Sequence, residues 1–374
     1  MIFEADKDSL YRSIAIVDSI VSSKSINTML ANCLFKVFKD SIEITSTDNE
    51  VAIRTRLDAV SDGEGVFTAN GKRFSNILKE LPRGEVVISV SDSFMVDVKT
   101  KSKEIKAHYA LVGTSREEYP DISFVFNENV IEVDQTTLRE MLRKVIHAAA
   151  MDVIKPVFNG VYMLPDTNGR LTVVATDSRR LSMISRSVGN IAQMEEGVII
   201  PLKTVHELVR LLSGGGTTKF SLFENQCYFR IGETDIVSRV VDGQFPNFRQ
   251  VIPKEQAIHA VLDTKRLLDS LRRAMVFTRE PANKVVLHFS QRSLLLEAKT
   301  PDLGEAEEEI AIDSNAKESL SIGINAQFMM DVLKEIDVGS VKLGLTGQMS
   351  PVTLSPENDN DFLSVIMPIQ IKSS

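Results

Sequence analysis

The chain lacks tryptophan and has only two cysteines and five histidines among 374 residues. Each shortage removes a class of function. Cys33 and Cys227 sit far apart in apolar, strand-like runs, which suits reduced core thiols in a cytosolic protein rather than a disulfide framework. The histidines (His108, His147, His206, His259 and His288) are dispersed, and no His-x-x-x-His or Cys-x-x-Cys pair occurs, so no metal or other cofactor is expected. A Gly-x-Ser-x-Gly nucleophile turn is missing. Gly214-Gly215-Gly216-Thr217-Thr218-Lys219 lacks the spacing of a phosphate loop and follows a helix instead of opening one. Asn358-Asp359-Asn360-Asp361 has no Gly and Glu at calcium-loop spacing. No apolar run reaches about 18 residues, so no membrane span is expected. Met1 to Lys7 reads as no signal peptide, having neither a basic leader nor an apolar stretch. Catalysis has little to stand on.

What is present is one pattern used three times. Asp6, Asp134 and Asp263 each open an amphipathic helix, and they stand 128 and 129 residues apart. That interval is the size of a small domain and far too long for a solenoid repeat. The expected fold class is therefore α+β, with three repeated domains at 1–126, 127–254 and 255–374. Alternating residues predict strand pairs at Leu34–Phe38 and Ser41–Ser46, Gly160–Leu164 and Leu171–Ala175, Lys284–Phe289 and Ser293–Glu297. A second helix follows in each copy. Its stripe is Phe74, Ile77, Leu78 and Leu81, then Val205, Leu208, Val209 and Leu212, then Met329, Val332, Leu333 and Ile336. Gly84, Gly214 and Gly339 lie beyond these helices as expected caps. Two helices packed on antiparallel sheets leave one stripe of each helix free for function.

The net charge of −8 argues against nucleic acid only if the charge is evenly spread. It is not. Acids cluster at Glu305-Ala306-Glu307-Glu308-Glu309 and at Glu357 to Asp361, while bases gather on the repeated helices. The first helices and the loop after the first one carry Lys7, Arg12, Lys24, Arg139, Arg143, Lys144, His147, Lys265, Arg266, Arg272 and Arg273. The second helices add Lys72, Arg73, Lys79, Lys203, Arg210 and Lys334. Bases three or four apart share a helix face. Recurrence of such faces is the footprint of phosphate-backbone binding, against the plainer alternative of solvated faces laced with ion pairs. With no zinc-finger spacing, helix-turn-helix or tryptophan, contact independent of base sequence is expected.

Four segments then carry a resemblance along the whole chain: Lys155-Pro156-Val157-Phe158-Asn159-Gly160-Val161, Val174 to Leu181, Asp242 to Pro253, and Val365-Ile366-Met367-Pro368-Ile369. In order and spacing they resemble the bacterial sliding clamp family, the beta subunit of DNA polymerase III. The resemblance implies the DNA-clamp fold, closed into a ring as a head-to-tail homodimer around double-stranded DNA. It implies a non-catalytic processivity factor that tethers the replicative polymerase, is handled by a clamp loader, and serves other partners of replication and repair. It also implies a cleft for partner peptides between the second and third domains. Matched residue by residue, that cleft falls on Phe158, Thr176, Ser178, Arg179, Arg180, Leu181, Pro246, Val251, Asn325, Phe328, Val365, Ile366, Met367, Pro368 and Ile369, with Arg180 or Asn325 bonding peptide backbone. The similarity suggests a dimer seam in which Tyr109 and Leu111 meet Val276 and Phe277. The chain departs from the family where Ser178 and Arg179 replace the commoner Gly and His, adding a permanent charge at the rim, and where Gln250 and Gln370 replace frequent Arg. Two rivals remain: a three-repeat scaffold that binds only peptides, and a hydrolase or transferase with an unrecognised site. Buried or outward-facing bases would favour the first, and a cleft of converging acids and bases the second.

Overall fold

The computed structural model describes residues 1–21, 28–102, 105–126, 130–152, 154–166, 168–189, 191, 194, 196–337 and 339–371. Six α-helices occur among them: α1 (Lys7–Asp18), α2 (Gly71–Glu80), α3 (Gln135–Ile146), α4 (Leu202–Leu211), α5 (Thr264–Ala274) and α6 (Ala326–Leu333). None is long and apolar enough to cross a membrane.

The helix starts follow from side-chain chemistry. A helix leaves its first amide groups without partners, and a short polar side chain just before it can accept from them. Asp6 accepts from the Ser9 amide at 2.8 Å and Asp263 from the Arg266 amide at 2.7 Å. Asn70 and Asn325 do the same for α2 and α6, at 2.9 and 3.2 Å. The apolar stripes of α2, α4 and α6 are buried through Phe74, Leu78, Val205, Leu208, Met329, Val332 and Leu333.

The repeat extends to single hydrogen bonds. The first amides of α1, α3 and α5 (Lys7, Gln135 and Thr264) donate to the carbonyls of Gly84, Gly216 and Gly339 at 2.9, 3.0 and 2.9 Å. Gly84 and Gly339, expected as caps, therefore have another use, and in the second copy Gly216 rather than the expected Gly214 takes that place. Helix α2 closes at Leu81, whose amide returns to Leu78, and Gly84 lies three residues further on. A second shared device is the turn after the third strand. In the first copy Thr47 Oγ1 donates to the Val51 carbonyl at 2.9 Å and Asp48 accepts from the Glu50 and Val51 amides, with Asn49 at φ 76°. In the second, Thr176 Oγ1 donates to the Arg180 carbonyl at 2.7 Å and Asp177 accepts from the Arg179 and Arg180 amides, with Ser178 at φ 73°.

Two compact units result. One comprises residues 1–135 and 210–240, the other 136–209 and 241–374. They divide the second repeat because its strand Thr234–Arg239 pairs antiparallel with Val51–Asp58 of the first, Ile236 opposite Ile53. The first unit holds a thirteen-stranded sheet running from Ile131–Asp134 at one end to Val60–Ser61 at the other. Phe35 stacks on Phe67 in its core with centroids 4.8 Å apart. The second unit holds a nine-stranded and a four-stranded sheet. In the larger of these Arg180–Ser187 pairs with the late strand Phe362–Ile366, Leu181 opposite Val365. Cys33 and Cys227 are buried free thiols, and burial raises both, that of Cys227 to about 12.

Candidate functional sites

The seam between Arg180–Ser187 and Phe362–Ile366 makes a cleft. Its floor is a buried apolar cluster of Val174, Leu181, Ile199, Phe245, Phe248 and Val365, with Tyr162 stacked on Phe245 at 4.7 Å. Above it opens a hollow of about 190 Å³, lined by Phe158, Thr176, Ser178, Arg180, Leu181, Pro246, Asn247, Phe248, Val251, Val365 and Met367. Met367 also borders a second recess of about 400 Å³ lined by Arg179, Pro281, Ala282, Asn325, Phe328, Pro368 and Ile369. The structure thus brings together fourteen of the fifteen residues expected there. Ile366 is the exception. Strand residues alternate between faces, so Val365 and Met367 look into the cleft while Ile366 is fully buried behind it. Asn247, Phe248, Pro281 and Ala282 were not foreseen. Phe248 lies inside a segment that carried the resemblance, whereas Pro281 and Ala282 arrive only through tertiary folding.

The polar groups of the cleft are largely committed. Arg180 pairs with Asp177 at 3.1 Å and Asp331 at 2.8 Å, and its guanidinium lies 4.3 Å from the centre of the Phe328 ring. The Asn325 side chain accepts from the Phe328 amide and donates to the Pro281 carbonyl at 3.2 Å. The expectation that Asn325 bonds a peptide backbone gives way to a capping role, since it is 5% exposed and both ends of its amide are engaged. The tail is pinned where the Met367 amide donates to the Arg179 carbonyl at 2.8 Å and the Ile369 amide to Gly323 at 2.7 Å. Beneath, His147 Nε2 shares a hydrogen bond with Ser182 Oγ at 3.1 Å, and Ser182 meets Ser364 at 2.7 Å. Burial, then the nearby Arg180 charge, pushes the His147 imidazole down to about 4 against the pull of Asp331.

The helix cations divide into three groups. Lys7, Lys144 and His147 are corrected from DNA-facing to structural roles. Lys7 is 6% exposed and pairs with Asp8 at 2.8 Å. Lys144 is equally buried, pairs with Glu140 at 3.1 Å and lies over the Phe362 ring. His147 belongs to the serine network just described. A second group is already engaged where it stands, in part by salt bridges. Arg143 meets Glu335 at 2.7 Å and Asp337 at 3.5 Å, Arg273 grips Glu308 at 2.6 and 2.7 Å, Lys265 and Arg272 share Asp269, and Lys334 reaches Asp331 at 3.4 Å. Arg139 donates to the Val209 carbonyl, Arg210 to the Ile16 carbonyl and Ser19, and Lys203 has polar contacts of its own. The third group is exposed without a salt bridge among the described residues: Arg12, Lys72, Arg73, Lys79 and Arg266. Lys24 lies outside the described residues.

Of the expected seam residues, Tyr109 and Val276 are 41% and 70% exposed, and Phe277 is half-buried. Leu111 is buried, because alternation along His108–Thr114 turns it into the core, and it does not offer a surface contact. That strand pairs with Met95–Thr100 on one side and, on the other, with Gly65–Asn70 only through Gly113 and Thr114. Among the described residues, 108–111 therefore form an open edge. Strand Gly304–Ala311 is likewise the last of its four-stranded sheet. No group of three or more residues suited to holding a metal occurs among the described residues.

Family models decide the affiliation. The N-terminal, central and C-terminal domains of the DNA polymerase III beta subunit match residues 1–123, 132–247 and 249–370. The chain belongs to the DNA polymerase III beta subunit family. The beta sliding clamp of Halalkalibacterium halodurans is 29% identical over 99% of this chain and all of its own length, and that of Bacillus subtilis is 25% identical over the same shares. Among solved structures, the Thermotoga maritima beta subunit gives a TM-score of 0.91 at 26% identity, covering both chains completely. A Pseudomonas aeruginosa sliding clamp bound to griselimycin gives 0.92 at 26% identity, covering 99% of this chain and all of the other. The function that goes with the family is that of a sliding clamp, a non-catalytic processivity factor of DNA polymerase III.

Proposed function

We propose that two copies of this chain close head to tail into a ring around duplex DNA, and that the cleft over Leu181, Phe248 and Val365 takes short peptides of the replicative polymerase, the clamp loader and other replication and repair partners. The domains in this reading span 1–126, 127–254 and 255–374. The open edge at residues 108–111 and the edge strand Gly304–Ala311 of a second copy meet, with Tyr109 against Val276 and Phe277. Lys106 beside one edge, and Glu307 and Glu309 along the other, give the two edges opposite charge. Arg12, Lys72, Arg73, Lys79 and Arg266 supply the attraction to phosphates, weakly enough to permit sliding. The protein then works in the cytoplasm, at the nucleoid during replication.

The cleft is the observation that carries this reading. Its floor is apolar, its Arg180 charge is satisfied internally, and its walls offer separate hollows at the scale of single side chains. Such a site takes apolar anchors from an extended segment. Met367, 41% exposed between the two hollows, is the position to test. Met367→Glu places an unpaired charge in the path of the anchors. The variant is expected to stay dimeric, yet to give at least ~10-fold shorter polymerase products in a reaction with clamp loader and polymerase, because both dock in the cleft and loss of a central apolar contact commonly costs about 2 kcal/mol. Products of normal length would remove the cleft assignment.

A further inference from the structure

We propose that Arg179 selects partner peptides that carry a carboxylate beside their apolar anchors. The inference rests on the docking reading above and adds the chemistry of the partner. Two neighbouring guanidiniums in one turn have opposite fates. Arg180 is held by Asp177, Asp331 and the face of Phe328. Arg179 is exposed, and its side chain makes no salt bridge or hydrogen bond among the described residues.

Its backbone is nonetheless fixed. The Arg179 amide donates to Asp177 at 2.9 Å, and its carbonyl accepts from Met367 at 2.8 Å. Ser178 sets the turn with φ 73°. A rigid backbone thus presents a free cation at the rim. Of the eight residues lining the 400 Å³ recess, Arg179 is the sole charged one, and the amide of Asn325 is engaged at both ends. On the far side of Arg179, Asp177 is engaged by Arg180, Asp152 and Lys155 are both exposed, and the Lys155 ammonium lies 5.6 Å from the centre of the Phe158 ring. A carboxylate entering beside Phe328 therefore meets one uncompensated guanidinium, whose planar fork can bond it through two parallel hydrogen bonds. An exposed pair of this kind contributes a modest gain, about two- to five-fold in affinity. The apolar floor supplies affinity, and Arg179 ranks the partners.

The test uses the full-length protein and fluorescein-labelled decapeptides with a fixed Leu-Leu-Phe core. One flanking position is set to Asp, Asn or Lys and stepped along each side of the core. Fluorescence anisotropy at low salt should find at least one position where Asp binds about two- to five-fold tighter than Asn, with Lys weakest, the difference fading at high salt. The Asp-to-Asn ratio should fall to about one in Arg179→Gln and recover only in part in Arg179→Lys, because the charge survives that change but the bidentate fork does not. Equal binding of Asp and Asn peptides at every position, or a ratio that persists in Arg179→Gln, overturns the inference while leaving the cleft intact. Failure of every peptide to bind brings down the docking reading and this inference with it.

Discussion

Ser178 shows how much of a site can hang on one backbone angle. Its φ of 73° is a region that L residues occupy at a cost of about 1 kcal/mol, and Asn49 holds the matching place in the first repeat at φ 76°. The surrounding hydrogen bonds over-determine the turn, so Ser stands where the family commonly has Gly. Burial pushes the His147 imidazole down into an accessible pH range. Its unfolded imidazole takes a proton near 6.5 and its folded one near 4. Between those values the unfolded chain binds more protons, so the stabilisation is complete above 6.5 and is lost as the pH falls towards 4. The loss is at most about 3 kcal/mol. Urea unfolding at stepped pH should show wild type losing stability relative to His147→Gln across that window. Parallel curves would contradict the burial of the neutral ring. The pattern of the sequence located the Thr176–Leu181 turn, but not the commitment of Asn325 or Arg180. Their partners come from 44 and 151 residues away, and no local pattern encodes that.

At the scale of elements the sequence was most legible. Stripes at i, i+3, i+4, i+7 marked the second helices, and Asp6 and Asp263 marked helix starts that the structure realises as side-chain caps. Asp263→Ala should destabilise α5 by about 1 kcal/mol, seen as faster amide exchange over Thr264–Leu267 with little change elsewhere. Unchanged exchange there would mean the bond adds nothing. Strand alternation also had more to say than was taken from it, since it separates Val365 and Met367 from Ile366, and Tyr109 from Leu111. Ionic links between elements were out of reach. Arg186 joins Glu140 of α3 to Asp359, at 2.8 and 2.6 Å, and Arg143 of the same helix reaches Glu335 beyond α6 at 2.7 Å. Such pairs depend on the finished fold, and they turn cations that look available in the sequence into internal fasteners.

For the whole molecule, that distinction revises which charges should attract DNA. Each phosphate contact made by a free cation steepens the salt dependence of binding by roughly 0.9 in slope. Replacing Arg12, Arg73, Lys79 and Arg266 together by Gln should flatten that dependence and shorten retention on DNA. The same change at Arg143, Lys265, Arg272 and Arg273 should flatten it much less, although it breaks ion pairs within the protein. Equal effects of the two sets would show that internal pairing does not decide the matter. The account stands or falls on enclosure of the duplex, because a protein with net charge −8 is poorly suited to holding DNA by attraction alone. The direct measurement is retention of labelled protein, loaded by a clamp loader onto a nicked circular plasmid, before and after a single restriction cut far from the loading site. Enclosure predicts stable retention on the circle and rapid loss once free ends exist, with retention restored when the ends are blocked by bulky protein. Equal retention on circle and cut plasmid would contradict it.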